Sequence, residues 1–341
     1  MTPVPTTSFR VLQMILVAIV ATAVSVPRPA VAEEPAPLSI TLEGYAYPYP
    51  VSFLPLVIEG QDVKMAYMDV QPTEGGNGKT ILLLHGKNFF GAYWKDTMAF
   101  LVTNGYRVVV PDQIGFGKSA KPTIHYSFHA MAAATRKLLD TLGVKEVTVI
   151  GHSMGGMLAT RFALLYPEIA TRLVLENPIG LEDYRRFVPY VSVDDQYRSE
   201  LNASAEAVRA YHKSYFVTWR PEYGEYAEVA VRQKGSGEFP RLALASALTY
   251  EMIYEQPVCH EFGDVKARTL LIIGQADRTV VGKARVKKEL LATVGNYPEL
   301  GRKTAALIPG ARLVKLANVG HIPHLEAKDK FHEVLLAFLS E

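Results

Sequence analysis

Short apolar runs alternate with helix-like stretches along most of the chain, beginning near Lys79. The runs are rich in valine, isoleucine and leucine and lack the polar alternation of a strand with one face in water, so they are typical of strands buried on both faces. Their spacing predicts an α/β fold with a mostly parallel sheet and crossover helices. The predicted strands cover residues 80–84, 107–110, 147–150, 172–175, 269–273 and 313–316.

Helical patterns fill the intervals between several of these runs, so we expect helices on both faces of the sheet. Residues 38–70 precede the alternation and combine aromatic and β-branched residues with several prolines, which predicts antiparallel edge strands. The chain shows neither an internal repeat nor a low-complexity segment. The predicted helices cover residues 92–103, 128–142, 154–166 and 328–339.

The alternation stops after Pro178 and resumes only near Val265, which leaves 86 residues, 179–264, between two core strands. This segment holds nine of the 18 tyrosines of the chain, together with Trp219. We expect a mainly helical cap in which most rings serve packing and a minority line a pocket. The predicted organisation is therefore a core of residues 33–178 and 265–341, with a cap of residues 179–264.

The first 32 residues have the features of a secretory signal peptide. Arg10 precedes an apolar stretch at residues 11–24, and the small-residue triplet Ala30-Val31-Ala32 comes just before Glu33. The alternative is a membrane anchor, but the apolar stretch has 14 residues against roughly 20 needed to cross a bilayer. We therefore expect cleavage after Ala32 and a periplasmic or secreted protein without stable membrane insertion.

Composition and charge exclude several classes of protein. The 341 residues are 49% hydrophobic and 21% charged, which is the range of globular chains, and the formal net charge is only +2. Since no run of Lys or Arg forms a basic stripe, we expect no nucleic-acid partner. The single cysteine, Cys259, can form neither an internal disulfide nor a multi-thiolate zinc site. No metal-ligand motif such as H-E-x-x-H is present, and no dinucleotide motif follows a strand, so we expect no cofactor and a small-molecule substrate.

One motif carries nucleophilic chemistry. Residues 151–155 read Gly-His-Ser-Met-Gly, a G-x-S-x-G pattern that follows a predicted strand and precedes a predicted helix. The flanking glycines permit a sharp turn that exposes the hydroxyl of Ser153, and the helix N-terminus favours negative charge beside it. Because the strand and the helix supply the context that the motif requires, we expect Ser153 to be a nucleophile rather than a structural serine.

With this motif the chain resembles the α/β-hydrolase family over essentially all of its predicted mature length. Four pieces match in order: Leu84-His85-Gly86-Lys87, the stretch from Asp112 to Ser119, the turn at Ser153, and Gly320-His321. Together they are specific for the fold and much less specific for a substrate. The resemblance implies a serine hydrolase that needs no cofactor.

A serine hydroxyl needs a base, and the base needs an acid to orient it. His321 follows the last predicted strand, where the family places its base; His324 is the competitor and more readily supports the final helix. Asp277 follows the strand at 269–273 and completes the chain order Ser, Asp, His of this fold. The alternative acid is Glu176, which follows the strand at 172–175.

The resemblance also implies an oxyanion hole made by the backbone N–H groups of Met154 and Lys87. The continuation Lys87-Asn88 departs from the commoner aromatic or glycine-rich pattern, which leaves Asn88 as a further contributor to weigh. His85 and Asp112 are expected to organise the loops around the site.

These observations predict an exported hydrolase that cleaves a carboxylic ester through an acyl-enzyme. The same side chains support cleavage of a carbon–carbon bond in a diketone-like compound, of a lactone or of an amide. Export argues mildly against the breakdown of ring-cleavage products. From another class, a non-catalytic binding protein with this fold would be expected to lack part of the Ser, Asp, His set, and all three members are present.

Overall fold

The computed structural model describes residues 1–4 and 36–341, and the predicted signal peptide lies almost wholly outside them. Within residues 36–341 the apolar runs form one sheet of eight strands. All six runs predicted as strands belong to it, with ends within two residues of the prediction. The strands are β1 (Ser52–Ile58), β2 (Gln61–Val70), β3 (Thr80–Leu84), β4 (Arg107–Pro111), β5 (Val147–His152), β6 (Ala170–Glu176), β7 (Arg268–Gly274) and β8 (Arg312–Leu316).

The order of the strands in the sheet is β1-β2-β4-β3-β5-β6-β7-β8. From β4 to β8 neighbouring strands run parallel, while β1 and β2 form an antiparallel edge, as the proline-containing segment predicted. The carboxyl ends of β3, β5, β6 and β7 therefore meet at one edge of the sheet, which is where open α/β sheets place their ligands.

Both faces of the sheet are covered along β3 to β7, which explains why these strands read as mainly continuous apolar runs. In β3, Leu82 and Leu84 belong to one buried cluster, whereas Ile81 and Leu83 belong to the cluster on the other side. All four side chains are fully buried.

Helices follow most of the strands. The four predicted core helices are present, although a short 3-10 turn, Gly91–Trp94, precedes the first of them. Ten α-helices occur among the described residues: α1 (Lys95–Thr103), α2 (Phe128–Thr141), α3 (Met154–Leu165), α4 (Val193–Asn202), α5 (Ala205–Lys213), α6 (Gly224–Lys234), α7 (Phe239–Glu255), α8 (Tyr297–Leu307), α9 (Pro323–Glu326) and α10 (Lys328–Ser340).

The segment between β6 and β7 is mainly helical, as its composition predicted. It contains α4 to α7, and we call residues 179–264 the helical insertion. Ser192 and Ser204 cap the N-termini of α4 and α5, each accepting a backbone N–H three residues further along the chain. Across the described part of the chain, every helix is too short or too polar to cross a bilayer.

Candidate active site

Ser153 lies in a sharp turn between β5 and α3. Its backbone has φ 56° and ψ −121°, a conformation that L-residues rarely adopt. The two motif glycines make the turn possible, because a Cβ at Gly151 would lie 2.2 Å from the carbonyl oxygen of Gly155, and a Cβ at Gly155 would lie 2.2 Å from that of Leu84. The close backbone packing at these two positions therefore requires the glycines of the G-x-S-x-G motif. The resulting turn places the Ser153 hydroxyl at the carboxyl edge of the sheet.

The structure brings Ser153, His321 and Asp277 together in one hydrogen-bonded chain. Nε2 of His321 lies 3.0 Å from Oγ of Ser153, and Nδ1 lies 2.7 Å from Oδ2 of Asp277. His321 and Asp277 are buried. The ring of His321 stacks on Tyr215 of the helical insertion, whose carbonyl oxygen also accepts the His321 backbone N–H at 2.7 Å.

Asp277 is held in its ionised form. Burial acts to raise the pKa of its carboxyl group, but His321, Asn177 and Thr279 outweigh that effect and lower the pKa. Asn177 donates to Oδ2 at 2.7 Å, and the backbone N–H of Thr279 donates to Oδ1 at 2.8 Å. Because an ionised carboxylate can only accept, Nδ1 of His321 carries the proton and Nε2 is free to accept from the Ser153 hydroxyl.

Asn177 was not singled out by the sequence analysis, yet it connects three parts of the site. Besides donating to Asp277, it donates to the carbonyl oxygen of Gly320, and its Oδ1 accepts the backbone N–H of Gly274. It has φ 35° and directly precedes Pro178. An asparagine before a proline at the carboxyl end of a core strand is the signal that could have identified it, because asparagine tolerates positive φ and bonds neighbouring backbone groups.

Glu176, the alternative acid, is paired with a different histidine. Its Oε1 accepts the backbone N–H of His324 at 2.7 Å and lies 2.9 Å from Nδ1 of the His324 ring. Burial raises the pKa of Glu176 to about 7 and lowers the pKa of His324 well below its usual value. The geometry thus places Glu176 and His324 in a buried pair of their own, next to the hydrogen-bonded chain of Ser153, His321 and Asp277.

A buried series of hydrogen bonds connects the loop at Gly86 with the loop that carries His321. The hydroxyl of Tyr93 accepts the Gly86 backbone N–H at 3.0 Å and lies 3.0 Å from Nδ1 of His152. Nε2 of His152 donates to the carbonyl oxygen of His321 at 2.8 Å. Burial lowers the pKa of His152 to about 3, so this histidine stays neutral. Its two ring nitrogens hold the two loops at a fixed separation.

His85 and Asp112 organise loops, as expected. Nε2 of His85 accepts the backbone N–H of Gln113 at 3.0 Å, and Nδ1 donates to the carbonyl oxygen of Gly86 at 2.9 Å. Asp112 accepts the backbone N–H groups of Gly91 at 2.6 Å and Lys118 at 2.7 Å, and the hydroxyl of Tyr47.

The amides expected to bind an oxyanion lie next to the nucleophile. Met154 follows Ser153 directly, and Lys87 follows Gly86, where a Cβ would lie 3.1 Å from the Cβ of Ser153. Neither amide donates to an acceptor within residues 36–341. The third candidate, Asn88, donates its side-chain amide to the hydroxyl of Tyr215 at 2.7 Å.

A cavity of about 530 Å³ opens onto Ser153. Loops of the core contribute Lys87 and Asn88, the segment from Thr279 to Arg285 forms one wall, and the helical insertion supplies most of the remainder. Within the described chain, no group of three His, Cys, Asp or Glu side chains is arranged to hold a metal ion. Four of the nine tyrosines of the insertion line the cavity, namely Tyr211, Tyr215, Tyr226 and Tyr250.

Curated relatives resemble this chain over different lengths. An uncharacterized protein of Mycobacterium tuberculosis is 39% identical over 106 residues, which is 31% of this chain and 31% of the relative. The match therefore spans about a third of the length of that relative. The 2-hydroxy-6-oxo-6-phenylhexa-2,4-dienoate hydrolase of Burkholderia cepacia is 25% identical over 277 residues, 78% of this chain and 90% of the relative.

Among solved structures, a probable hydrolytic enzyme from Pseudomonas aeruginosa PAO1 superimposes with a TM-score of 0.87 at 47% identity. The superposition covers 89% of this chain and 98% of that enzyme. The family model for the alpha/beta hydrolase fold matches residues 79–328. The chain therefore belongs to the α/β-hydrolase family.

Proposed function

We propose that the protein is an exported carboxylic-ester hydrolase in which Ser153 is the nucleophile, His321 the base and Asp277 the orienting acid. The proposal rests on the hydrogen-bonded chain from Ser153 through His321 to Asp277. Oγ of Ser153 lies 3.0 Å from Nε2 of His321, and Nδ1 of His321 lies 2.7 Å from Oδ2 of Asp277. This arrangement, beside two unpaired amides, is what acyl transfer to a serine requires.

The proposed reaction has two halves. Oγ of Ser153 attacks the ester carbonyl carbon while Nε2 of His321 takes the hydroxyl proton, and the Met154 and Lys87 amides bind the resulting oxyanion. His321 then gives the proton to the leaving alkoxide, which departs as the alcohol and leaves an acyl-enzyme. In the second half, His321 takes a proton from water, the hydroxide attacks the acyl carbon, and Ser153 recovers its proton as the acid leaves.

The cavity supports substrates of small to medium size. Its volume, about 530 Å³, lies in the range of sites that enclose a drug-sized molecule. The helical insertion contributes Tyr211, Tyr215, Tyr226 and Tyr250 to the lining, and the volume favours one short or medium acyl group over three long acyl chains.

A second candidate is cleavage of a carbon–carbon bond in a diketone-like compound. It is favoured by the 25% identity with the dienoate hydrolase of Burkholderia cepacia over 78% of this chain. The same serine and histidine could serve that reaction, since one set of side chains supports several chemistries on this fold.

The test of the proposal is a substrate panel assayed with the purified protein and with Ser153→Ala as control. We expect the highest kcat/KM on soluble esters with short to medium acyl groups, and no rise in rate when emulsified triolein passes its solubility limit. Matched amide, lactone and diketone substrates are assayed in parallel. A higher kcat/KM on the diketone than on every ester would overturn the ester proposal in favour of the second candidate.

The proposed export rests on residues 1–32 alone. When the full chain is expressed in a Gram-negative host, we expect the intact mass of the periplasmic protein to begin at Glu33. A matched variant with Ala30 and Ala32 replaced by arginine should keep its leader, because the cleavage site needs small residues. Recovery of the uncleaved 341-residue wild-type chain from the cytosol only would contradict export.

A further inference from the structure

The side chain of Lys87 points into the same cavity as the nucleophile. Lys87 follows Gly86, which packs against Ser153, and both Lys87 and Ser153 line the cavity. Its Nζ donates to Oγ of Ser246 on α7 at 2.6 Å. This hydrogen bond joins a core loop to the helical insertion and fixes the ammonium group in the wall of the cavity that Ser153 also lines.

The ammonium group of Lys87 has fewer acceptors than it can use. An ammonium offers three N–H donors, and the Ser246 hydroxyl is the one acceptor it has among the described residues. It forms no ion pair with a carboxylate of residues 36–341. Burial lowers the pKa of Lys87, and the Glu200 carboxylate, which acts on the ammonium group without a direct contact, offsets this lowering only in part. Two donors are therefore available to a group that enters the cavity.

Other cations that line the cavity have backbone or amide acceptors. Nζ of Lys234 donates to the carbonyl oxygens of Glu200 and Leu201 at 3.0 Å and 3.2 Å. Nζ of Lys283 donates to the carbonyl oxygen of Arg278 at 2.9 Å. These contacts occupy donors of both lysines, whereas Lys87 bonds only to a hydroxyl.

The charged side chains that line the cavity also favour an anionic ligand. Its described lining has four cationic side chains, Lys87, Lys234, Lys283 and Arg285, and one carboxylate, Glu200. Oε1 of Glu200 already accepts from Gln196 at 2.9 Å. A cavity with this excess of positive charge favours an anionic ligand over a neutral one of the same shape.

We propose that Lys87 and Ser246 form a recognition point for a carboxylate on the substrate, so that the preferred substrates are esters that carry a free acid group. The inference rests on the proposed ester hydrolysis and names its substrate class. The Lys87 amide is expected to bind the oxyanion while the Lys87 ammonium binds the carboxylate. The two groups of the substrate are therefore separated by no more than the reach of one lysine side chain, which selects half-esters of short dicarboxylic acids and short esters of hydroxy acids.

The test compares substrates that differ in charge but little in shape. One pair carries the charge on the acyl side, 4-nitrophenyl hydrogen glutarate and 4-nitrophenyl methyl glutarate. The other carries it on the alcohol side, carboxymethyl butanoate and carbamoylmethyl butanoate. The measured quantity is the ratio of kcat/KM for the acid to that for its neutral partner, because a ratio is insensitive to general damage at the site.

We expect wild-type protein to prefer the acid in at least one pair. Lys87→Met should lower that ratio by about 10- to 100-fold, the usual effect of losing a hydrogen bond to a charged group. Lys87→Arg, which keeps the cation, should retain the preference. The matched control is Lys234→Met, which removes another cation of the cavity, one whose Nζ already donates to two backbone carbonyl oxygens. It should change the ratio by about threefold or less, since a charge that acts without a direct hydrogen bond contributes less than one that makes it.

Equal ratios in wild type and Lys87→Met, in both pairs, would overturn the inference and leave ester hydrolysis intact. If wild type hydrolyses no ester faster than Ser153→Ala does, the proposed function fails, and the binding of glutarate itself decides the inference. Titration calorimetry should then give a Kd at least about 10-fold weaker for Lys87→Met than for wild type. Equal glutarate affinities would overturn the recognition point independently of catalysis.

Discussion

Replacing Ser153 by alanine is expected to lower kcat on the preferred ester by on the order of 10⁶-fold, the effect of removing the nucleophile of a serine protease. Alanine removes the one oxygen that lies 3.0 Å from Nε2 of His321. The backbone turn at φ 56° is retained, because the flanking Gly151 and Gly155 are unchanged. The measurement is the initial rate under saturating substrate, with thermal unfolding recorded for both proteins.

The matched control is Ser340→Ala at the end of α10, where the hydroxyl donates only to the carbonyl oxygen of Leu336. It should leave the rate at the wild-type value. If Ser153→Ala keeps a substantial share of the activity while its unfolding temperature is unchanged, Ser153 is not the nucleophile and the proposed mechanism is wrong.

The second large effect is expected at Asp277. Asp277→Asn should reduce turnover by about 10⁴-fold, as the equivalent change does in a serine protease. The asparagine amide would donate to Nδ1 of His321, which then keeps its proton on Nε2 and cannot accept from Ser153. The negative charge that stabilises the imidazolium is lost in the same substitution.

Glu176→Gln is the matched control for Asp277→Asn, because both replace a buried carboxyl at the end of a core strand by its amide. We expect a far smaller loss, since Glu176 contacts His324 and its glutamine replacement keeps an oxygen that can accept the His324 backbone N–H. Both variants should unfold at temperatures close to wild type. A nearly inactive Glu176→Gln beside an active Asp277→Asn would move the acid of the site to Glu176.

Much of the fold follows from local patterns in the sequence. The strands β3 to β7 are mainly continuous apolar runs because both of their faces are buried, so hydrophobicity alone locates them. The turn at Ser153 is also local, since strand, glycines and helix are adjacent in the chain. The alignment of His321 and Asp277 with Ser153 depends on the resemblance to the family, which supplies the order of strands that the chain itself does not display.

Features that depend on contacts between distant residues were not predicted. Helix α8 was missed because Gly301 weakens its helical pattern; in the structure a Cβ at this position would lie 3.0 Å from Cγ1 of Ile273, so glycine allows the helix to approach β7. The hydrogen bond from Lys87 to Ser246 joins residues 159 positions apart. Neither hydrophobic periodicity nor motif spacing predicts such a pair, because the two side chains meet only after the insertion packs on the core.

Ser153 is expected to act as a covalent nucleophile, and active-site labelling tests this role. The purified protein is treated with a fluorophosphonate, its intact mass is recorded and the modified peptide is sequenced, with Ser153→Ala treated in parallel. We expect one adduct per chain, located on Ser153, and none on the variant. Undiminished labelling of Ser153→Ala, or an adduct on another residue of the wild-type protein, would show that Ser153 is not the nucleophile.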